Sequence, residues 1–473
     1  MRTFFGILSA AGTLYLRDAA GAREALALYD REATNICYWR AWTARVFAAA
    51  ADDPFAAEMC RDYALTATEL VDLRLLAVEK AQWMEVALDA CGRLGDRIGE
   101  GKALGNLGNV CAAQGDSRKA IEFFEKCLTI AAESRDRRGE GHTLTNLGLV
   151  WADLGDVRKA LGLYERALAI AREVGDRRGE SQILGNLGLA WDDLGDAKKA
   201  IDCYEQDLAI VIAIGDRRGE GQTLNNLGNA WQSLGYATTA VGLYEQSLAI
   251  AREVGDRGGE SQALGNLGAA WSALGDIERA IAFFDKDLAI ARELGDRRAE
   301  GQTLNNLGLA WAEIGDVRKA INFYESALLI ARATGDRRAE GQAMNNLGLA
   351  WAKLGDPAKA IGFYEQDLAI AQAIGDRRGE GQTLGNLGLA WYALGNKETA
   401  LAFHEQDLAI ARETGDRHGE ASALFNVALV LDSLDRCDEA IKHAESALTI
   451  FQAIDSPQTE PVQEALVGWR GSR

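Results

Sequence analysis

The sequence predicts an all-α fold, a solenoid of stacked antiparallel helix pairs, and three observations carry that expectation. First, Asp96, Asp136, Asp176, Asp216, Asp256, Asp296, Asp336, Asp376 and Asp416 fall on a ruler of 40 residues without insertion or deletion. Arg follows each Asp, Glu stands four residues on, and Asn106 and Ala120 recur at every step to Asn426 and Ala440. Second, each 40-residue span holds two apolar runs at helical spacing, in most copies separated by Gly-Asp. Third, 473 residues contain only 4 prolines, so little interrupts a helix, while the 51 glycines mostly punctuate helices or let them approach. Repeats of this kind cannot cover their apolar faces alone; they stack and bury a continuous core.

Residues 1–95 stand outside the ruler and read as about four helices capping the N-terminal end of the array. The opening MRTFFGILSAAGTLYL joins one Arg to a short apolar run, as a secretory leader does. That run continues into helix-like sequence, and we expect a helix there.

Residues 96–455 are nine repeats. In the copy at 296–335, Leu304, Leu307, Gly308, Trp311 and Ile314 form one face of a first helix. Gly315 suits its C-terminal stop and Asp316 the cap of the next helix. Ala320, Ile321, Tyr324, Leu328 and Ala331 then give the face of a second helix, ended by Gly335-Asp336. Residues 456–473 read as a short tail, a thin cover for the last repeat.

The spacing L-x2-L-G-x2-W followed by A-x3-Y resembles the tetratricopeptide signature over 96–455. The resemblance implies a right-handed superhelix in which Gly308 and Ala320 are the small residues where helices touch, with Trp311 and Tyr324 filling between them. A period of 40 rather than the usual 34, with Asn106-Leu107-Gly108-Asn109 as one instance of its motif, is similar to the Pins/LGN-type scaffolds. Two N-terminal stretches, Leu26–Trp42 and Leu73–Arg97, resemble the region joining switch and sensor in bacterial signalling ATPases of the STAND type, relatives of NB-ARC proteins. In those proteins the nucleotide switch precedes this region, so no nucleotide-binding residue is carried over.

On a helical wheel of about 100° per residue, Gln302, Asn306, Leu309 and Glu313 lie opposite the core of the first helix. By the tetratricopeptide resemblance this stripe faces a concave groove. Its candidate partner-binding residues are Asn106, Asn146, Asn186, Asn226, Asn266, Asn306, Asn346 and Asn386, with Gln222, Gln302, Gln342, Leu309 and Leu349. Arg218, Arg298 and Arg338 stand at the groove edge, placed to grip carboxylates of a partner or to pair with neighbouring acids. Two readings of the stripe stay open: amides and Leu contact a bound segment, or they pack adjacent first helices together. Mixed use, with Asn and Gln toward a partner and Leu partly for packing, is the expectation. Glu100 and its equivalents fall on the core side of the first turn and read as structural partners of Arg.

No catalytic or metal chemistry is legible. GDRIGEGKA, Gly95–Ala103, mimics a phosphate loop, but Asp96 stands where GxxxxGK[ST] needs Gly and Ala103 where it needs Ser or Thr. The four histidines have no metal-ligand spacing, and paired acids such as Glu365 and Asp367 read as a solvated face. Seven scattered cysteines without CxxC read as reduced thiols of an intracellular chain. A net charge of −19 repels phosphate backbones and anionic lipid, and no run of 18 apolar residues exists.

The expectation is a cytoplasmic, bacterial, non-enzymatic scaffold or sensor without cofactor or metal, holding a protein or peptide segment and binding neither nucleic acid nor membrane. The alternatives are a detached sensor region of a STAND-type ATPase and an array that self-associates through its C-terminal repeat.

Overall fold

The computed structural model describes residues 2–15, 19–49, 53–66 and 77–471. All of their regular structure is helical. The chain forms two compact halves, residues 1–235 and 236–473.

In the N-terminal half, α1 (Arg2–Tyr15), α2 (Ala19–Ala49), α3 (Pro54–Leu65) and α4 (Ala77–Leu94) precede the repeats. The start of α3 follows from local chemistry: Asp53 accepts from the Phe55 amide at 3.0 Å, and Pro54 occupies the first turn, where no amide is needed. Leu8, Tyr29, Ile36, Tyr63 and Trp83 share one buried cluster with Ala103 and Leu107 of the first repeat. The four helices therefore cover the apolar end of the repeat stack.

Each repeat is a first helix of 17 or 18 residues and a second of the same length, as in Arg297–Ile314 and Val317–Thr334. The caps explain the ruler. Asp296 accepts from the Ala299 amide at 2.9 Å and Asp316 from that of Lys319 at 3.1 Å, each satisfying an orphan donor of a helix start. Asp96 caps likewise on Gly99, which makes GDRIGEGKA a helix start. Second helices end on a residue in the left-handed region; Gly335, at φ 72°, adopts it without a Cβ clash.

Packing within a repeat is set by small residues facing rings. Gly308 lies under Tyr324 so closely that a Cβ would stand 2.6 Å from Cδ1. Ala320 is fully buried, and Tyr324 is buried with it. Trp311 is half-buried beneath Lys319, whose Nζ sits 3.3 Å from the ring centroid.

The short tail expected over the last repeat is largely helical. Thr459–Gly471 is a helix whose Val462 and Leu466 are buried in the core of the last repeat.

Candidate functional site: the exposed face of the first helices

The stripe opposite the core divides by depth. Gln222, Gln302 and Gln342 are exposed, and Asn106, Asn146, Asn186, Asn226, Asn266, Asn306 and Asn386 are half-buried. Leu309 and Leu349 are each 45% exposed, and Leu149, Leu189, Leu389 and Leu429 occupy the same position with comparable exposure. Each leucine leaves part of its side chain open to solvent. Repetition places them at one height on successive first helices, so in each half they form an apolar line beside amide side chains.

Three of the stripe asparagines bridge consecutive repeats. Asn346 donates its side-chain amide to Asn305 Oδ1 at 2.8 Å, and Asn386 donates to Asn345 at 2.9 Å. Asn146 donates to Asn109 at 3.0 Å. Each bond joins the first helices of consecutive repeats. Asn346 departs from the expectation of a groove contact: it is buried, and its amide is engaged by Asn305. Asn306 carries no such bond and borders a cavity of about 490 Å³ with Asn305, Gln302, Arg298, Gln342 and Arg338. A larger one, about 900 Å³, lies in the N-terminal half and includes Asn106, Asn146, Lys102 and His142.

Arg218, Arg298 and Arg338, expected at a groove edge, are exposed. Arg298 reaches the capping Asp336 of the next repeat at 3.8 Å, as Arg138 reaches Asp176 at 3.3 Å. Exposed pairs of this length contribute little, so the Arg298 guanidinium remains available to a carboxylate. The core-side Glu behaves as expected: Glu300 takes Arg297 at 2.5 Å from its own repeat and Arg292 at 2.9 Å from the preceding second helix. For Glu260, burial raises the pKa, but the Arg252 and Arg257 guanidinium groups outweigh it and hold the carboxyl below its ordinary value.

A second polar layer lies under the stripe. Asp207, Asp287 and Asp367, on second helices, are buried and accept from Thr223, Thr303 and Thr383 of the following first helix at 2.7, 2.6 and 2.6 Å. Asp367 is thus no part of a solvated face: two residues from exposed Glu365, it turns toward the next first helix. Its pKa, like those of Asp207 and Asp287, is pushed up by burial. These acids, and the Asn305 and Asn345 acceptors, were missed in the sequence. Their signal was present as Thr sixteen residues after each of the three Asp. His404, standing where the seven preceding repeats carry Tyr or Phe, is buried against Gly388, and burial lowers its pKa to about 4.

Among the described residues no group of three His, Cys, Asp or Glu could hold a metal ion, and no helix is long and apolar enough to cross a membrane.

Family models described as tetratricopeptide repeat match residues 103–138, 140–213, 219–293, 272–333, 299–373, 339–413 and 379–453. No curated protein matches in sequence. Three solved structures share the fold. One is a STAND signal-transduction ATPase with a tetratricopeptide repeat sensor from Pyrococcus horikoshii, at 17% identity and TM-score 0.57. That match covers 77% of this chain and 54% of the archaeal one, so this chain spans about half its length. The quorum sensor NprR from B. thuringiensis matches at 16% identity and TM-score 0.52, over 66% of this chain and 87% of its own. RapI in its apo form matches at 13% identity and TM-score 0.51, over 59% of this chain and 99% of its own.

Proposed function

The chain belongs to the tetratricopeptide repeat family, and on that premise we propose that it is a non-enzymatic scaffold or sensor that holds a segment of a partner protein against the exposed face of its first helices. The observation that carries this reading is the line of exposed leucines, Leu309, Leu349, Leu389 and Leu429 in the C-terminal half, flanked by exposed Gln302 and Gln342. Apolar anchors beside amides suit an extended or helical segment, whose side chains meet the leucines while its backbone bonds the amides. Exposed Arg298 and Arg338 at the edge favour acidic residues in the flanks of that segment. That NprR is described as a quorum sensor, and the archaeal protein as carrying a repeat sensor, accords with a sensing role.

The test compares wild type with Leu309→Glu, Leu349→Glu and Asn306→Ala combined, three positions whose side chains the fold does not need. Partners captured from cells by wild type should be lost from the variant while its circular dichroism is unchanged. Partners retained by the folded variant would place the contact elsewhere.

A second reading, the sensor region of a STAND-type switch, draws on the fold likeness to the archaeal ATPase and on the N-terminal stretches Leu26–Trp42 and Leu73–Arg97. Residues 73–76 of the latter lie outside the described residues. Nucleotide-dependent association with a repeat-free STAND ATPase from the same cells would favour it, and its absence would count against it.

A further inference from the structure

One acid breaks the pattern of its layer. Asp207, Asp287 and Asp367 each take the hydroxyl of a Thr sixteen residues on, and Asp207 and Asp287 also take Ser181 and Ser261 of their own repeat's first helix. Asp407 holds the same position in the repeat at 376–415. There Gly381 replaces the Ser, and Ala423 replaces the Thr. Both hydroxyl donors are gone, and no side-chain or backbone donor takes their place.

The surroundings are open as well as bare. A Cβ on Gly381 would lie 3.3 Å from one Asp407 oxygen, and one on Gly385 3.0 Å from the other, so the carboxylate rests on helix backbone without side chains. Asp407 is half-buried where its three equivalents are buried. Asp367, its counterpart one repeat earlier, borders a surface cavity of about 310 Å³ with Arg338, Gln342 and Gln382. Repeat equivalence puts Asp407 on the same side of its own repeat, the side that the groove reading assigns to a partner. No Lys or Arg of the described residues pairs with Asp407 to offset its charge.

We propose that Asp407 anchors a cationic side chain, a Lys ammonium or an Arg guanidinium, of a segment lying between the first helices Arg377–Ala393 and Arg417–Ser433. The inference rests on the groove reading above and adds the chemistry of one contact. A partly desolvated carboxylate without donors is costly, and a cation supplies both the missing donors and the opposite charge. Burial, then the nearby Asp416 carboxylate, pushes the Asp407 pKa up to about 7, as expected of an acid with no counterion. A net charge of −19 attracts a basic segment over distance. Arg at the groove edge and Asp407 on its floor would then read a segment carrying both signs, the basic residue toward its centre.

The experiment selects random linear peptides on the full chain, as wild type, Asp407→Asn and Ala423→Thr, each checked for helicity and thermal unfolding. Ala423→Thr keeps the acid but offers it the hydroxyl that Thr383 gives Asp367. Wild type should enrich peptides with Lys or Arg at one fixed distance from an apolar residue, and both variants should lose that enrichment. A selected peptide should lose roughly tenfold in affinity on Asp407→Asn, the same on replacing its basic residue by norleucine, and little more when both are changed. Peptides that bind wild type, are blocked by Leu389→Glu, yet show no fixed basic residue or no response to Asp407→Asn would overturn the anchor and leave the groove standing. If wild type selects no peptide at all, the groove and the anchor fall together.

Discussion

Asn346 donates to Asn305 across 2.8 Å, an amide-to-amide bond between the first helices of two consecutive repeats, and both side chains are buried. Where the bond forms, it accounts for a mediocre helix former in mid-helix: the Asn346 amide meets the neighbouring repeat's amide instead of competing for its own backbone. It also separates Asn346 from Asn306, the equivalent one repeat earlier, which has no such bond.

Asn346→Ala should therefore lower stability by about 1 kcal/mol, the net worth of a neutral buried hydrogen bond, and Asn306→Ala by less than about 0.5 kcal/mol. Chemical denaturation followed by circular dichroism checks the order. Equal effects would remove the amide bond as the reason for the asparagine.

Gly308→Ala sets a methyl against the Tyr324 ring, where Cδ1 would lie 2.6 Å away. The ring is rigid and buried, so the helices must part, at about 1–3 kcal/mol. Adding Tyr324→Leu should return much of that stability. A Gly308→Ala variant as stable as wild type would show that the pair tolerates separation.

Asp407 and His404 give opposing pH dependences. The Asp407 pKa stands near 7 in the fold and near 4 in an unfolded chain, so its contribution is full below about 4 and is lost as pH rises toward 7. The His404 pKa is lowered to about 4 from 6.5, so its contribution is full above 6.5 and is lost as pH falls toward 4. In His404→Tyr the midpoint of thermal unfolding should fall as pH rises from 4 to 7. In Asp407→Asn it should fall as pH drops from 6.5 to 4. Parallel profiles in the two variants would contradict both assignments.

Leu466→Glu places a charge in the contact between Thr459–Gly471 and the last repeat. The helix should lift away and expose that repeat's apolar face, and sedimentation should then show association that grows with concentration. Wild type, with Val462 and Leu466 in place, should self-associate less. Association equal in both would assign it to another surface.

The sequence alone determined the period, the Asp cap that opens each first helix, and the core face of the repeats. Those properties are local: an Asp accepts from an amide three residues on, and a helix turns by a near-constant angle per residue. The tertiary structure decided what lies opposite that core face. A helical wheel puts Asn306 and Leu309 on one outward stripe, yet whether an outward residue meets water or another helix depends on how the next repeat is rotated and raised. That rotation draws Asn386 and Asn345 together into a bonded pair, leaves the leucines partly at the surface, and turns Asp367 under Thr383 while Glu365 stays in solvent. Residues one or two positions apart in a helix thus receive different roles from a neighbour that their own helix does not encode.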